Sequence, residues 1–219
     1  MPRTSSRGRL CSHAAQQMPK TIYQLKPAFQ DLLRPATKAL WSAGVTANQV
    51  TIGAALLSVA AGGVLLSNAS NPRVLLLLPP VLFSRMALNA IDGMLAREFD
   101  MKSRLGAILN ELCDVISDTA LYLPLALGWG FSPPLLTLVV VLAVVSEMAG
   151  VLGLSVGAGR RYDGPMGKSD RAFVFGATGL AIGCGVPAGN WQNIVLAVML
   201  VLLASTVWNR SRMALQEGR

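Results

Sequence analysis

The sequence predicts an all-α integral membrane fold, six transmembrane helices preceded by an N-terminal interfacial amphipathic helix. Three observations carry that expectation. Of the 219 residues, 53% are hydrophobic and 14% charged, where a soluble domain carries about 25% charged residues. The apolar residues gather into runs close to the roughly 20 positions that a helical span requires. Lysines and arginines fall in every second gap between those runs, so the chain reads as one membrane domain threaded back and forth.

Taken in order, residues 1–20 are polar, basic and free of acids, and they lack the apolar core of a signal peptide. They read as a disordered tail, with Met18 an alternative start and a transit peptide the rival reading. The membrane domain spans 21–210, and 211–219 form a cytoplasmic tail. Residues 21–44 alternate apolar and cationic positions at near-helical spacing, interrupted by Pro27 and Pro35. Lys26, Arg34 and Lys38 then face headgroups, while Tyr23, Leu25, Phe29, Leu33 and Trp41 face acyl chains, as in a helix lying on a bilayer.

Spans are expected at 48–67, 73–96, 104–128, 133–156, 171–186 and 191–209, the glycine-rich fifth being the shortest. Asn48, in "TANQVT", is a candidate N-cap for the first. Seven lysines and arginines precede the first span, and Arg97, Lys102 and Arg104 lie between the second and third. Arg160, Arg161, Lys168 and Arg171 separate the fourth from the fifth, and Arg210, Arg212 and Arg219 follow the sixth. Only Arg73 lies on the other side. The positive-inside rule therefore puts both termini in the cytoplasm, in a chain whose setting reads as a bacterial inner membrane.

A net charge of +8 raises the question of nucleic acid, but the cations are dispersed between apolar segments and are not interleaved with aromatics. Anionic membrane lipids and phosphorylated substrates fit better, and nucleic acid is excluded as a partner. Cys11, Cys113 and Cys184 form no CxxC pair, and His13 is the single histidine. A metal here must be held by oxygen, which selects magnesium, manganese or calcium.

The stretch "NAIDGMLAREFDMKSRLGAILNELCDVISD", residues 89–118, sets polar groups against this apolar background. Residues three or four apart share a helical face. Arg85, Asn89, Asp92 and Ala96 thus line one side of the second span, and Asn110, Glu111, Asp114 and Asp118 a similar stripe on the third. The short turn between them makes the helices antiparallel neighbours with facing stripes. Convergent oxygens suit a divalent cation, and without one the carboxylates would repel each other or take up protons. Acids near helix ends can instead rest among headgroups, as expected for Glu98 and Asp100, and an ion pair with Arg85 accounts for one acid. Asp118 lies about four turns beyond Arg104, too deep for the headgroup reading.

These residues resemble the CDP-alcohol phosphatidyltransferase family, whose signature is DxxDGxxAR, eight residues, then GxxxDxxxD. Here "NAIDGMLAR" is followed by "EFDMKSRL" and "GAILNELCD", so Asp92, Gly93, Ala96, Arg97, Gly106 and Asp114 match in identity and spacing. The resemblance covers roughly residues 21–210 and implies the six-span layout, a homodimer, and two divalent cations, Mg2+ or Mn2+, on the nucleotide diphosphate. It implies metal ligation by Asp92 and Asp114, with Asp114 also the base for the acceptor alcohol. It further implies that Gly93, Ala96, Arg97, Ser103 and Gly106 meet the CDP moiety. Asn89 and Asn110 stand where the family has aspartates. Asparagine keeps a carbonyl oxygen and loses a charge, so fewer ions bind, or Glu111 and Asp118 step in as ligands.

The segment "GAGRRYDGPMGKSDR", residues 157–171, ends in GKS, but Tyr162 stands where a P-loop needs glycine. It is either an ordinary basic loop or an anion pocket in which Arg160, Arg161, Lys168 and Arg171 clamp a phosphate on the acceptor. Glu147, in the fourth span, has several available roles: a pair with Arg85, a place in a cavity wall, or a polar contact between helices. The function that the resemblance implies is transfer of a phosphatidyl group from a CDP-linked lipid such as CDP-diacylglycerol to an alcohol acceptor, with a phosphorylated polyol favoured by the basic segment, and release of CMP. A transporter binding cargo at its intramembrane acids and a catalytically silent CDP-lipid-binding relative are the rival classes.

Overall fold

The computed structural model describes residues 25–218. The expected tail of residues 1–20 lies outside them, as do Tyr23 and the side chains of Leu25 and Lys26. Every regular element is helical among the described residues. Helix α1 spans Leu25–Ser42 and continues through Pro35, although that ring removes one backbone donor. Gly44, at φ +77°, turns the chain out of it. Leu33 and Leu40 pack towards Val50, Ile91 and Leu95, and Trp41 lies 5.0 Å from the Phe99 ring. Side chains expected to face acyl chains are thus partly spent docking α1 onto the bundle.

Helix α2 (Ala47–Ser67) begins with a reciprocal cap. The Thr46 hydroxyl accepts from the Gln49 N–H at 3.3 Å, and the Gln49 side chain accepts from the Thr46 N–H at 2.9 Å. Thr46 therefore holds the position expected of Asn48, and Asn48 is released into the helix. A 3-10 turn, Pro72–Leu77, leads into α3 (Leu78–Glu98), and α4 covers Arg104–Tyr122. Helix α5 (Pro133–Leu152), α6 (Lys168–Gly183) and α7 (Trp191–Glu217) complete the bundle, with further 3-10 turns at Leu123–Leu127 and Gly153–Val156.

Four stretches, Ala47–Ser67, Pro72–Glu98, Pro133–Val156 and Trp191–Glu217, are long and apolar enough to cross a membrane, and the fold is an integral membrane one. The other two expected spans differ for a physical reason. Helix α6 has only 16 residues, and α4 carries Asn110, Glu111, Asp114 and Asp118 in its 19.

Lipid gives helices little hydrophobic drive to associate, so close packing and polar contacts must hold the bundle. Helix α2 lies against α3 and α4, α5 against α7, and α6 against α3. Ala54, Ser58, Ala61 and Gly62 make the buried face of α2 small-sided, and a Cβ on Gly62 would overlap the Ala120 carbonyl. The α2–α4 crossing is consequently backbone against side-chain-free backbone. Tyr122 stacks on Phe175 at 4.1 Å, with Leu121, Leu136 and Leu196 fully enclosed around the centre. Phe83, Ile108, Leu112, Phe173 and Val201 point outward, as lipid-facing residues do.

Candidate functional site

The expected neighbours α3 and α4 do not pack directly on each other; both lie against α2 and face each other across a gap that the Arg85–Asp118 and Asn89–Asp114 side-chain bonds span. Asp92 is buried and its Oδ2 accepts the Thr51 hydroxyl of α2 at 2.7 Å. Across the gap the Asn89 amide donates to Asp114 Oδ1 at 3.4 Å. The Lys168 ammonium, at the start of α6, forms an ion pair with the same oxygen, and the Arg85 guanidinium lies 4.0 Å from it. Three helices therefore bring Asn89, Asp92, Asp114 and Lys168 to one place.

Two spaces meet there. One is a cavity of about 850 Å³ whose walls include Asn48, Thr51, Asp92, Gly93, Asn110 and Tyr162. Ala96, Arg97, Ser103 and Gly106, named from the sequence, also line it. The other is a groove of about 480 Å³ between α3 and α6, with Leu82, Phe83, Met86, Phe173 and Leu180 along it and Arg85, Asn89 and Lys168 as its polar members. Asn89 belongs to both. A polar chamber and an apolar trough thus share Asn89 as a wall, with Asp92 on the chamber side.

The glycines and the serine have local tasks. The Ser103 hydroxyl accepts from the Gly106 N–H at 2.9 Å and caps α4. A Cβ on Gly106 would sit 2.7 Å from Asn48 Oδ1, so this glycine admits the α2 amide to the cavity wall. At Gly93 a Cβ would come within 3.2 Å of the Arg97 guanidinium, which folds back over that turn.

Glu111 and Asp118 are drawn into a different assembly. Asp118 Oδ1 accepts from Arg85 at 2.8 Å and Oδ2 from Arg171 at 2.8 Å, so both oxygens are occupied. Arg171 also reaches Glu147 Oε1 at 3.0 Å, and Arg210 reaches Glu147 Oε2 at 3.2 Å. Arg160 donates to Glu111 at 2.6 Å and to Glu147 at 3.4 Å. Burial works against the Arg160 charge, but the hydrogen bond and charge of Glu111 outweigh it and lift its pKa above the ordinary arginine value. Of the roles open to Glu147, the structure shows the polar contact between helices, with Arg160, Arg171 and Arg210; the expected pair with Arg85 is not formed, because that arginine turns to Asp118.

The basic segment is accordingly dispersed. Arg160 stacks on Tyr162, 4.3 Å from the ring centroid, Arg161 pairs with Asp163 at 2.8 Å and with Glu217, Arg171 is buried on its two acids, and Lys168 turns to Asp114. The pairing of Arg161 with Glu217 and of Arg210 with Glu147 also explains why α7 continues to Glu217, beyond the expected end at 209.

Sequence reasoning passed over Thr51, Asn48 as a cavity residue, and Tyr162. Asn48 and Thr51 are three apart on α2 and share a face, a signal that was readable but carried no charge to mark it. Tyr162 had none, since only the fold of the 157–167 segment brings it to the cavity. Among the described residues no three acids, cysteines or histidines form a metal-binding group, because amides hold two of the four positions facing the gap.

A family model described as CDP-alcohol phosphatidyltransferase matches residues 44–211. The chain is 47% identical over 195 residues to the inner membrane protein YnbA of Escherichia coli (strain K12), covering 89% of this chain and 96% of that one. Its fold is similar to that of the phosphatidylinositol phosphate synthase PgsA1 of Mycobacterium tuberculosis. Against the complex with manganese and citrate the TM-score is 0.69 at 23% identity, covering 82% of this chain and 87% of that one. Against the form with CDP-DAG bound it is 0.64 at 24% identity, covering 84% and 92%.

Proposed function

This chain belongs to the CDP-alcohol phosphatidyltransferase family, and from that premise we propose that it transfers a phosphatidyl group from a CDP-linked lipid such as CDP-diacylglycerol to an alcohol, releasing CMP. The observation that carries the reading is the meeting of a polar cavity and an apolar groove at Asn89, beside Asp92 and Asp114. An amphiphilic donor needs that arrangement: nucleotide in the chamber, acyl chains in the trough, and the reactive phosphorus where they join.

The donor set suits a hard divalent cation. Asp92 offers a carboxylate in the cavity wall, and Asn89, Asn110 and Asp114 offer oxygens around it, a set matched to Mg2+ or Mn2+. The manganese-bound relative supports this reading. Such an ion would offset the pyrophosphate charge and favour departure of CMP. Glu111 and Asp118, whose oxygens are taken by arginines, are outside the ligand set in this proposal.

Asp114 takes the proton of the acceptor hydroxyl as its oxygen attacks the phosphatidyl phosphorus. The bond from that phosphorus to the bridging oxygen breaks, and CMP leaves with the electron pair. Arg97, Gly93, Ala96, Ser103 and Gly106 hold the nucleotide from the cavity wall. The acceptor is an alcohol. A phosphorylated polyol would have to displace a carboxylate from Arg160, Arg161, Lys168 or Arg171, each of which already holds one, whereas an uncharged polyol demands no displacement.

In this reading α2 to α7 all cross the bilayer, α1 lies at its surface, residues 21–210 form the membrane domain, and the chain works as a homodimer. Both termini are cytoplasmic in a bacterial inner membrane, in keeping with the relative's name. The test is CMP release by purified protein given CDP-diacylglycerol, Mg2+ or Mn2+, and a panel of free and phosphorylated polyols. CMP release that depends on both cation and alcohol is expected. CDP-lipid binding without CMP release would instead make the chain a silent relative, and cation-coupled flux in liposomes would make it a transporter.

A further inference from the structure

We propose that Lys168 is a built-in counterion of the site, and that it limits the Asp92–Asp114 pair to a single divalent cation per chain. The inference rests on the metal-dependent reading of that site and adds what this chain's own residues do to the ion count.

Asp114 Oδ1 is already ringed by positive and donor groups. The Lys168 ammonium is paired with it, the Asn89 amide donates to it, and Arg85 stands 4.0 Å away. The lysine is held there against a local electrostatic preference. It is the first residue of α6, and a helix N-terminus disfavours a cation. That start is fixed by Asp170, whose carboxylate accepts the Gly167 N–H at 2.8 Å, so the attraction of Asp114 is what draws the ammonium inward. Asn89 fits the same logic. Its amide can donate to Asp114, whereas an aspartate in its place would set two carboxylates face to face and require more positive charge between them.

The surrounding charges leave no room for a second dication. Glu111 and Asp118 cannot refill the site, because their oxygens are committed to Arg160, Arg85 and Arg171. In that network three acids, Glu111, Asp118 and Glu147, meet four arginines, Arg85, Arg160, Arg171 and Arg210, leaving one positive charge. At the site two acids, Asp92 and Asp114, meet Lys168, leaving one negative charge. Taken together the two patches are neutral, and Arg97, Lys102 and Arg104 add positive charge in the cavity wall. One divalent cation already offsets the two charges of a nucleotide diphosphate bridge, and a second would add two more to a region those three side chains make positive.

The experiment is a Mn2+ titration of the purified full chain in lipid nanodiscs, with free ion read by electron paramagnetic resonance. Wild type should bind one Mn2+ per chain. Lys168→Met should bind it on the order of tenfold more tightly, since a like charge beside the ion is gone, and adding Asn89→Asp to that variant should admit a second ion. Lys168→Arg keeps the charge and should keep the wild-type affinity as well as the count, which separates charge from folding. Two ions in the wild type, or unchanged affinity in Lys168→Met with an unaltered melting temperature, would overturn the lysine assignment. An unchanged ion affinity in Lys168→Met, together with a raised KM for phosphorylated acceptors alone, would overturn it as well, giving Lys168 to the acceptor. No Mn2+ bound by any variant would withdraw the metal-dependent reading itself. One ion bound without CMP release would sink the transferase and leave the lysine assignment standing.

Discussion

Asp114 and Asp118 are one turn apart on α4, yet the two carboxylates live under different chemistry. Asp118 has both oxygens bonded to buried arginines, Arg85 and Arg171, and Arg171 continues to Glu147, so that α3, α4, α5 and α6 are tied together. Asp114 keeps 16% of its side chain open and holds a lysine, whose single point charge a substrate or ion can displace. The network beyond Asp118 is a closed set of bonds between helices; the cluster at Asp114 is an open one, bonded to Asn89 and Lys168, which line the adjoining spaces. What separates an intramembrane acid that builds the fold from one that is free for chemistry is therefore the number of guanidiniums aimed at it, not its depth or its helical face.

The sharpest way to break the comparison is to remove an arginine from the closed side. Arg171→Met leaves Asp118 and Glu147 each short of a partner in a site with 1% of the arginine side chain exposed. Stripping one partner from a buried pair costs about 3–5 kcal/mol. The expected outcome is a large drop in melting temperature in detergent or nanodiscs, with the Mn2+ count of the surviving folded fraction unchanged. A stable variant that loses its ion would place Asp118 in the site after all.

The opposite change is made on the open side. Asp114→Asn removes a charge that Lys168 and the solvent-facing cavity can tolerate, so the melting temperature should move little. CMP release should fall by roughly two to four orders of magnitude, the usual worth of a positioned base. Near-normal turnover would reject Asp114 as the base, while a collapse in stability matching Arg171→Met would erase the distinction between the two carboxylates.

A subtler probe sits on the cavity wall. Gly106→Ala sets a methyl 2.7 Å from Asn48 Oδ1 and 3.0 Å from the Ser103 hydroxyl, and such crowding costs about 1–3 kcal/mol. Asn48 should swing out of the wall, and the Kd for CDP, measured by calorimetry, should rise several-fold with the metal count unaltered. Unchanged CDP affinity would remove α2 from the nucleotide site.

Much of this was legible in the chain. Helical period put Asn89 and Asp92 on one stripe and Asn110 and Asp114 on another, but the short turn did not make α3 and α4 packed neighbours: α2 lies against both, and side chains span the gap between them. The six helices after α1 lie where apolar run length puts them, although α4 ends at Tyr122 instead of 128 and α7 runs on to Glu217 instead of 209. The division of the acids was hidden. Glu111 and Asp118 lie on or beside the same stripe as Asp114, and period says which face a residue occupies but not which side chains come across to it from α5, α6 and the 157–167 segment. Lys168 was visible as a cation yet not as a partner of Asp114, for its 54-residue separation is bridged only by the docking of α6 on α3. Thr51 carried no charge to draw attention, although its hydroxyl fixes one oxygen of Asp92.

The smallest effect belongs to the rim. Arg161 joins Asp163 and Glu217 in a pair of contacts that resemble the buried network on paper, with bidentate-capable arginine and two acids. Glu217, however, has 49% of its side chain exposed, so water and salt screen the pair and its side chains give up rotamer freedom to form it. Glu217→Gln should cost less than about 1 kcal/mol, with the loss shrinking further at high salt, and should leave CMP release and Mn2+ binding alone. The same charge count thus stabilises strongly or weakly according to how much water reaches it. A loss comparable to that of Arg171→Met would mean that the end of α7 is clamped by this pair, and the line between closed and open ion pairs would have to be drawn by connectivity instead of burial.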